Sequence, residues 1–529
     1  MGGWCAALAA ALAVRLWVLR AHDEFSADEA VPALMALHIA AGREAPVFYY
    51  GQHYFGAVEA YVTAGLFRFF GVHVWLPVVP PLVWSLALLP LTFALAEHLG
   101  GRAAGWLALP FIVAPPPVLT RLFVNAGGGF TLAGALQAGA LLCCLRALAH
   151  DRAGRSRAAL AYLAAFGLLA GLWCWVWQPA VAVCALLLPL LLIRCPGARR
   201  PAGLLAMALS ALLALAPPLA YNATRGWPTV AQLAGKYVAV GTEATQPLPS
   251  GPGAVLPLLW YALGGGNEAE GGAQPAQAIL LALAVPLGGG MLVPGWLRAA
   301  RRGTPSLRRH RQARVEAAVL LALAVGGDVL AAHSTARHLV PAVLLAVPFA
   351  GAALALLPGP RIAVRASSAI LLLALVLGPN LWLDAHAGQQ LAHFVARASE
   401  VRLAVQTLEA RGLATGYSDY WTAYPVTYFA SERVIIAPLV ASPWGGRFDR
   451  YPMYSQVVEQ VEDIRRLFLL LDRRCSPAPY VQPLEEHGAS YVLEPLAAWW
   501  LLSDIRPAPG DEQATLDAWR RAMASRAIC

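Results

Sequence analysis

Two stretches of this chain carry residue types that could do chemistry at a membrane boundary. The first, His22 to Gly56, sets Asp23, Glu24, Asp28 and Glu29 just beyond an apolar run. It continues into VFYYGQHYFG, with Tyr49, Tyr50, Gln52, His53 and Tyr54, and Glu59 follows in GAVEAY. A carboxylate there can act as a general base, and ionisable groups at a membrane edge are costly enough to desolvate to be functional candidates. Tyrosine faces can stack on a sugar while Gln52 and His53 hydrogen-bond its hydroxyls. The second stretch, STARHLVP from Ser334 to Pro341, presents Arg337 beside His338. A guanidinium fork fits phosphate oxygens bidentately.

Each feature also has a plainer reading. Ser26 or Asp28 can cap a helix that begins near Val31, interfacial tyrosines form belts, and arginines snorkel to lipid headgroups. Chemistry is favoured because acid, aromatic loop and cation converge on one side of the membrane. His22, Asp23, Glu24, Asp28 and Glu29 could ligate a hard divalent cation. Their spacing matches no defined metal loop, so a divalent metal stays an open alternative and no cofactor is assigned.

The elements that must position these groups are mostly membrane spans. The 529 residues are 58% hydrophobic and only 13% charged, with a mean hydropathy of +0.57, against about 25% charged residues in ordinary soluble domains. Apolar runs long enough to cross hydrocarbon give about eleven spans. They fall near 4–20, 74–97, 103–120, 129–148, 159–177, 179–194, 202–220, 276–297, 315–333, 339–357 and 366–383, with Gln178 and Pro179 marking a turn between the fifth and sixth. No internal repeat is evident. The net charge of +9 comes almost wholly from arginine, Lys236 being the one lysine. Clusters such as Arg152, Arg155 and Arg157, or Arg301 to Arg314, fall on one face of this topology, as orientation by cytoplasmic positive charge requires. That pattern excludes nucleic acid as the partner of the base. It puts the loop 21–73, the loop 222–275 and everything after residue 383 outside the cytoplasm.

From Asp384 the composition becomes that of a soluble domain. Helical patterns alternate with strand-like RVIIAPL and ASYVLEP, so residues 384–529 read as a small α/β domain behind a transmembrane domain of residues 1–383. Its segment GYSDYWTAYP offers Tyr417, Asp419, Tyr420, Trp421 and Tyr424 either as acceptor contacts or as packing residues. Cys475 and Cys529 can pair if this region is extracytoplasmic. The other cysteines lie mostly in apolar runs, as small core filler.

These residues carry a family likeness. The first span, Asp28-Glu29, the YGQxYxG segment (Tyr50, Gly51, Gln52, Tyr54, Gly56) and the late Arg337, His338, Leu339, Pro341 motif occur in the order found in a known group. The chain resembles the polyprenyl-phosphate-sugar-dependent membrane glycosyltransferases of the C-fold superfamily. It looks most like the protein-mannosyltransferase-like and aminoarabinose-transferase-like group, glycosyltransferase family 39, over residues 4–383. The resemblance implies a bacterial inner-membrane enzyme with its site and C-terminal domain extracytoplasmic. It implies inverting transfer of a sugar from a polyprenyl-phosphate donor to a hydroxyl on a lipid, glycan or protein, among membrane lipids. Asp28 would be the base, with Glu29 beside it. Arg337 would hold the donor phosphate with help from His338, where the family more often has Tyr. Tyr50, Gln52, His53, Tyr54 and Glu59 would contact substrate, and Asp23 or Glu24 could replace Asp28 as the base. The alternative is a transporter or flippase of lipid-linked saccharides, which would use charges inside the membrane such as Arg15 and Asp328.

Overall fold

The computed structural model describes residues 2–22, 25–115, 117–232, 305–331, 340–355, 397–439 and 449–525, with isolated positions between 370 and 381. Among the described residues, five helices are long and apolar enough to cross a membrane: Gly2–Arg20, Leu76–Gly100, Phe130–Arg152, Ser156–Val176 and Pro201–Thr224. Shorter apolar helices are Arg102–Val113, Ala180–Arg194 and Val340–Ala355. The turn expected at Gln178-Pro179 separates Ser156–Val176 from Ala180–Arg194. The runs near 276–297 and most of 366–383 lie outside the described residues.

One expected span is not straight. The run 103–120 is split into Arg102–Ala108, Pro110–Val113 and Pro117–Leu122. Pro116 and Pro117 have no N–H to give the carbonyls of Ile112 and Val113, four residues earlier. Arg15 of α1 (Gly2–His22) supplies the missing donors, reaching Ile112 O at 2.9 Å and Val113 O at 3.3 Å. Its Nε also donates to Ser85 Oγ at 2.7 Å. The guanidinium is fully buried and stacks 4.8 Å from the Phe123 ring. Asn380 donates to the next carbonyl, Ala114 O, at 2.9 Å. Arg15 therefore closes a broken helix; the side chain of Asp328 lies outside the described residues.

The first loop folds into α2 (Ala27–Ala40), a hairpin of β1 (Phe48–Tyr49) and β2 (Gln52–Gly56), and α3 (Val58–Phe70). α2 begins at Ala27, four residues before the expected start, because Ser26 and Glu29 form a capping box. It is buried on nearly every side. The hairpin turns through Tyr50 and Gly51, with Tyr49 opposite Gln52. Gly51 has φ +67°, which favours glycine. At Gly56 a Cβ would lie 2.7 Å from Trp175 O, so only glycine lets β2 approach that helix end.

Residues 397–439 and 449–525 fold as an α/β unit on a five-stranded sheet in the order β4-β3-β5-β7-β6. Here β3 is Thr415–Ser418, β4 Ile435–Pro438, β5 Leu467–Asp472, β6 Ser490–Leu496 and β7 Trp499–Arg506. β3 runs parallel to β4 and β5, and β7 is antiparallel to β5 and β6. Side chains of β5 alternate between two cores. Leu467, Leu469 and Leu471 join Tyr417 and Trp519 on one face. Phe468 and Leu470 join a core that continues, through the helix Tyr420–Phe429, into α2 and the membrane helices. Phe25, just before α2, stacks on Tyr428 at 5.4 Å and meets Phe429 edge-on at 5.1 Å. The sheet is thus seated on the first loop, with the Tyr420–Phe429 helix as its foot. Cys475 is disulfide-bonded; Cys529 lies outside the described residues.

Candidate active site

Where that foot meets α2, a cavity of about 30 Å³ is lined by Asp28, Pro32, Tyr49, Gln52, Gly127, Phe130, Tyr420 and Arg450, among others. Asp28 stands in the first turn of α2, where the helix dipole favours a carboxylate. Pro32 lacks the N–H that the Asp28 carbonyl would otherwise accept from within the helix. The Gly127 backbone packs beside Asp28: a Cβ there would lie 3.2 Å from both Asp28 Cβ and Asp28 O. Tyr420 donates its hydroxyl to Asp28 Oδ1 at 3.1 Å. Arg450 Nε donates to the same Tyr420 oxygen at 3.4 Å. With its carbonyl oxygen turned toward the guanidinium, Gln52 accepts from both terminal nitrogens of Arg450, at 2.9 and 3.0 Å, and from Tyr54 at 3.2 Å. Burial and the charge of Asp28 push the Tyr420 phenol well above its ordinary range.

Not every candidate side chain meets at this point. Glu29 folds back on its own helix end, accepting from Ser26 N at 2.8 Å and Ser26 Oγ at 3.0 Å. It is buried and does not line the cavity. His53 pins the hairpin instead. Its Nδ1 pairs with Tyr221 Oη at 2.8 Å, and its backbone N–H donates to Gln232 Oε1 at 2.7 Å. Glu59 is buried behind Tyr49, whose hydroxyl is 3.5 Å from Oε2. Its Oε1 has no partner among the described residues, and burial pushes its pKa up to about 8. Asp23, Glu24, Arg337 and His338 lie outside the described residues. Among the described residues no group of three His, Cys, Asp or Glu side chains gathers as a metal site.

Tyr50 belongs to a second contact with the C-terminal unit, at the far end of α2. His38, almost fully buried, pairs with Tyr50 Oη through Nδ1 and with Glu432 Oε1 through Nε2, each at 2.7 Å. Tyr454 donates to Glu432 at 2.9 Å and Arg43 also pairs with Glu432. Tyr50 donates to Glu44 at 2.6 Å, Tyr451 donates to the other oxygen of Glu44, and Tyr50 stacks on Tyr451 at 4.6 Å. Burial opposes the charge of Glu432, but hydrogen bonds from His38 and Arg43 outweigh it and bring its pKa down to about 2.

The aromatic segment of the C-terminal unit divides by role. Tyr417 packs in the core, edge-on to Trp519 at 5.7 Å. Asp419 caps the Tyr420–Phe429 helix, accepting from Trp421 N at 2.8 Å and Thr422 N at 3.1 Å. Trp421 packs edge-on to Tyr420 at 5.0 Å. The Tyr424 hydroxyl accepts from the backbone N–H of Arg450 at 2.6 Å and of Tyr451 at 2.9 Å, which fixes the backbone that presents Arg450. Sequence reasoning missed Arg450, the Gly127 loop and the whole His38–Glu432 contact. The available signal for Arg450 was a basic residue within a tyrosine cluster, RFDRYPMY, in a region that otherwise reads as an ordinary soluble domain.

No protein-family model matches the chain, and no curated protein matches it. Solved structures do. ArnT from Cupriavidus metallidurans in the apo state is 13% identical with a TM-score of 0.64, over 95% of this chain and 98% of that one. The same protein bound to undecaprenyl phosphate aligns with a TM-score of 0.61 at 13% identity, over 96% and 98%. The Archaeoglobus fulgidus oligosaccharyltransferase in its apo form aligns with a TM-score of 0.50 at 12% identity, over 96% of this chain and 75% of that one. At such identities the likeness is one of fold. The chain shares the fold of these structures, and the first of them is an aminoarabinose-transferase-type neighbour of the kind that the sequence likeness implied for the fold.

Proposed function

We propose that the chain is an inverting glycosyltransferase of the cell envelope, moving a sugar from a polyprenyl-phosphate donor to an acceptor hydroxyl on the extracytoplasmic face. One observation carries this reading. In a fold shared with a protein solved with undecaprenyl phosphate, the first-loop carboxylate Asp28 faces a cavity and already accepts a hydroxyl proton donor, Tyr420. Asp28 takes the proton of the acceptor hydroxyl as that oxygen attacks the anomeric carbon from the face opposite the phosphate. Polyprenyl phosphate leaves without needing a proton, and Arg337, with His338, receives its developing charge. Gln52 is the hairpin's polar amide at the cavity wall, and Tyr54 donates to it. Tyr50, His53 and Glu29 hold the loop in shape, and Glu59 underlies Tyr49.

The test is sugar transfer by the full-length protein in lipid, using labelled polyprenyl-phosphate hexoses and a membrane-extract acceptor. Product from wild type that is lost in both Asp28→Asn and Arg337→Ala, with folding intact, is the expected result. Transfer that survives Asp28→Asn moves the base to Asp23 or Glu24. Labelled lipid that crosses the membrane with no donor consumed replaces this reading with the transporter.

A further inference from the structure

Two thiols meet near the turn at Gln178-Pro179. Cys174 lies in the last turn of helix Ser156–Val176 and Cys184 in the second turn of helix Ala180–Arg194. The Cys174 thiol donates to Cys184 Sγ at 3.9 Å, and both residues are partly buried. Bonding would bring the sulfurs to about 2 Å, an approach within the swing that rotation about the Cα–Cβ bonds gives them.

The segment between these thiols backs the candidate active site. Trp175 Nε1 donates to Val47 O at 3.0 Å, and a Cβ on Gly56 would come within 2.7 Å of the Trp175 carbonyl. Trp177 stacks on Phe55 at 5.5 Å and meets Phe130 edge-on at 5.3 Å. Phe55 and Phe130 line the cavity that Asp28 faces. These contacts put the turn on the same side of the membrane as the first loop. The C-terminal unit is docked on that loop, and there Cys475 is disulfide-bonded. Disulfides persist in extracytoplasmic compartments.

We propose that Cys174 and Cys184 are the site of a structural disulfide, closed by exchange with the disulfide of an extracytoplasmic thiol oxidase. The thiolate of one cysteine attacks the oxidase disulfide and displaces one of its sulfurs. The thiolate of the other then attacks the mixed disulfide, which forms the Cys174–Cys184 bond and releases the second oxidase sulfur. The chain gives up two protons and two electrons, and the oxidase is left as a dithiol. The bond ties together both flanks of the Trp175–Trp177 segment where it supports the hairpin. Cys143 and Cys144 lie in the second half of helix Phe130–Arg152, and Cys195 follows helix Ala180–Arg194. These three stand toward the opposite, arginine-bearing helix ends and remain thiols.

Mass spectrometry tests this on the full-length protein, purified without reductant, denatured in N-ethylmaleimide and digested with trypsin. No Lys or Arg lies between Arg157 and Arg194, so both cysteines fall on one peptide, residues 158–194. That peptide should be two hydrogens lighter than its dithiol form and should take up reagent only after reduction. Peptides carrying Cys143, Cys144 and Cys195 should take it up without reduction. Melting temperatures separate a bond from mere packing. In a Cys475→Ser background, Cys174→Ala, Cys184→Ala and the double variant should all melt lower by a similar amount, about 2 °C or more, because losing either sulfur breaks the same bond. Dithiothreitol should bring the unsubstituted pair down to that value and leave the double variant where it is. A 158–194 peptide alkylated at both cysteines without reduction overturns the proposal, as does a bond that forms only when an oxidant is added. The mass measurement needs no variant, so a substitution that fails to fold does not touch it. Neither arm uses sugar transfer, so both stand apart from the role given to Asp28.

Discussion

The two ends of α2 meet the same C-terminal unit, and they do so with opposite chemistry. At the far end, His38, Arg43 and Glu44 meet Glu432, Tyr451 and Tyr454 in a contact where donors meet acceptors and Tyr50 stacks on Tyr451. At the near end, Asp28 and Arg450 face a cavity, and the fork of Arg450 closes on the neutral oxygen of Gln52. Saturated polar networks rigidify, whereas groups held ready for a ligand keep an exchangeable partner. The far end reads as a fastening and the near end as a site. A single helix of 14 residues joins them, so docking of the domain and geometry at Asp28 are mechanically one problem.

Breaking the near end should have the largest effect. Asp28→Asn keeps size and most hydrogen bonding but cannot accept a proton, and transfer should fall by roughly 10²–10⁴-fold with the melting temperature nearly unchanged. Damage at the far end should look different. Glu432→Gln leaves His38 and Arg43 without their carboxylate, costing about 3 kcal/mol by analogy with other broken buried pairs. Hydrogen exchange should then rise at both α2 and the Tyr420–Phe429 helix. The pH dependence has a defined sign. Glu432 has a folded pKa lowered from 4.5 to about 2, so its stabilisation is complete above the unfolded value and is lost as pH falls through the folded one. Docking followed by exchange should therefore hold at pH 5 and loosen between about pH 4 and 2 in wild type, and be flat there in Glu432→Gln.

Glu59 sharpens the contrast from beneath the site. Its folded pKa is raised from 4.5 to about 8, so the native state holds a proton that the unfolded chain has released, and stability falls as pH rises between those values. Glu59→Gln should remove that decline and raise the melting temperature at pH 8 relative to wild type, read across the range. The smallest effect is expected at the turn. Gly51→Ala places a Cβ at φ +67° and 3.3 Å from Arg450 Cδ, for a cost of about 1 kcal/mol, read as a lowered melting temperature.

Much of the architecture was legible because it depends on local pattern. Apolar length and proline placement marked the membrane helices, Gln178-Pro179 marked a turn, and RVIIAPL and ASYVLEP marked the strands β4 and β6. By contrast, SQVVEQVEDIRRLFLLL, which reads as helical, turns at its apolar end into the buried central strand β5. The break inside the 103–120 run was also written locally, in Pro115-Pro116-Pro117. What was missing there was the donor that rescues the freed carbonyls, Arg15, some hundred residues away in the chain. Glu29 shows the reverse case. Its spacing from Ser26 is a capping box in sequence, yet its pairing with Asp28 suggested catalysis.

The sequence alone determined that a carboxylate stands at the start of a helix beside an aromatic hairpin, since charge, periodicity and glycine spacing act over a few residues. Only the tertiary structure decided which distant groups meet it. Tyr420 reaches Asp28 across 392 positions of chain, and Glu432 reaches His38 across 394. Nothing in local pattern encodes such meetings. They arise because the apolar face of the Tyr420–Phe429 helix must be buried, and the surface that α2 and Phe25 offer is where it goes.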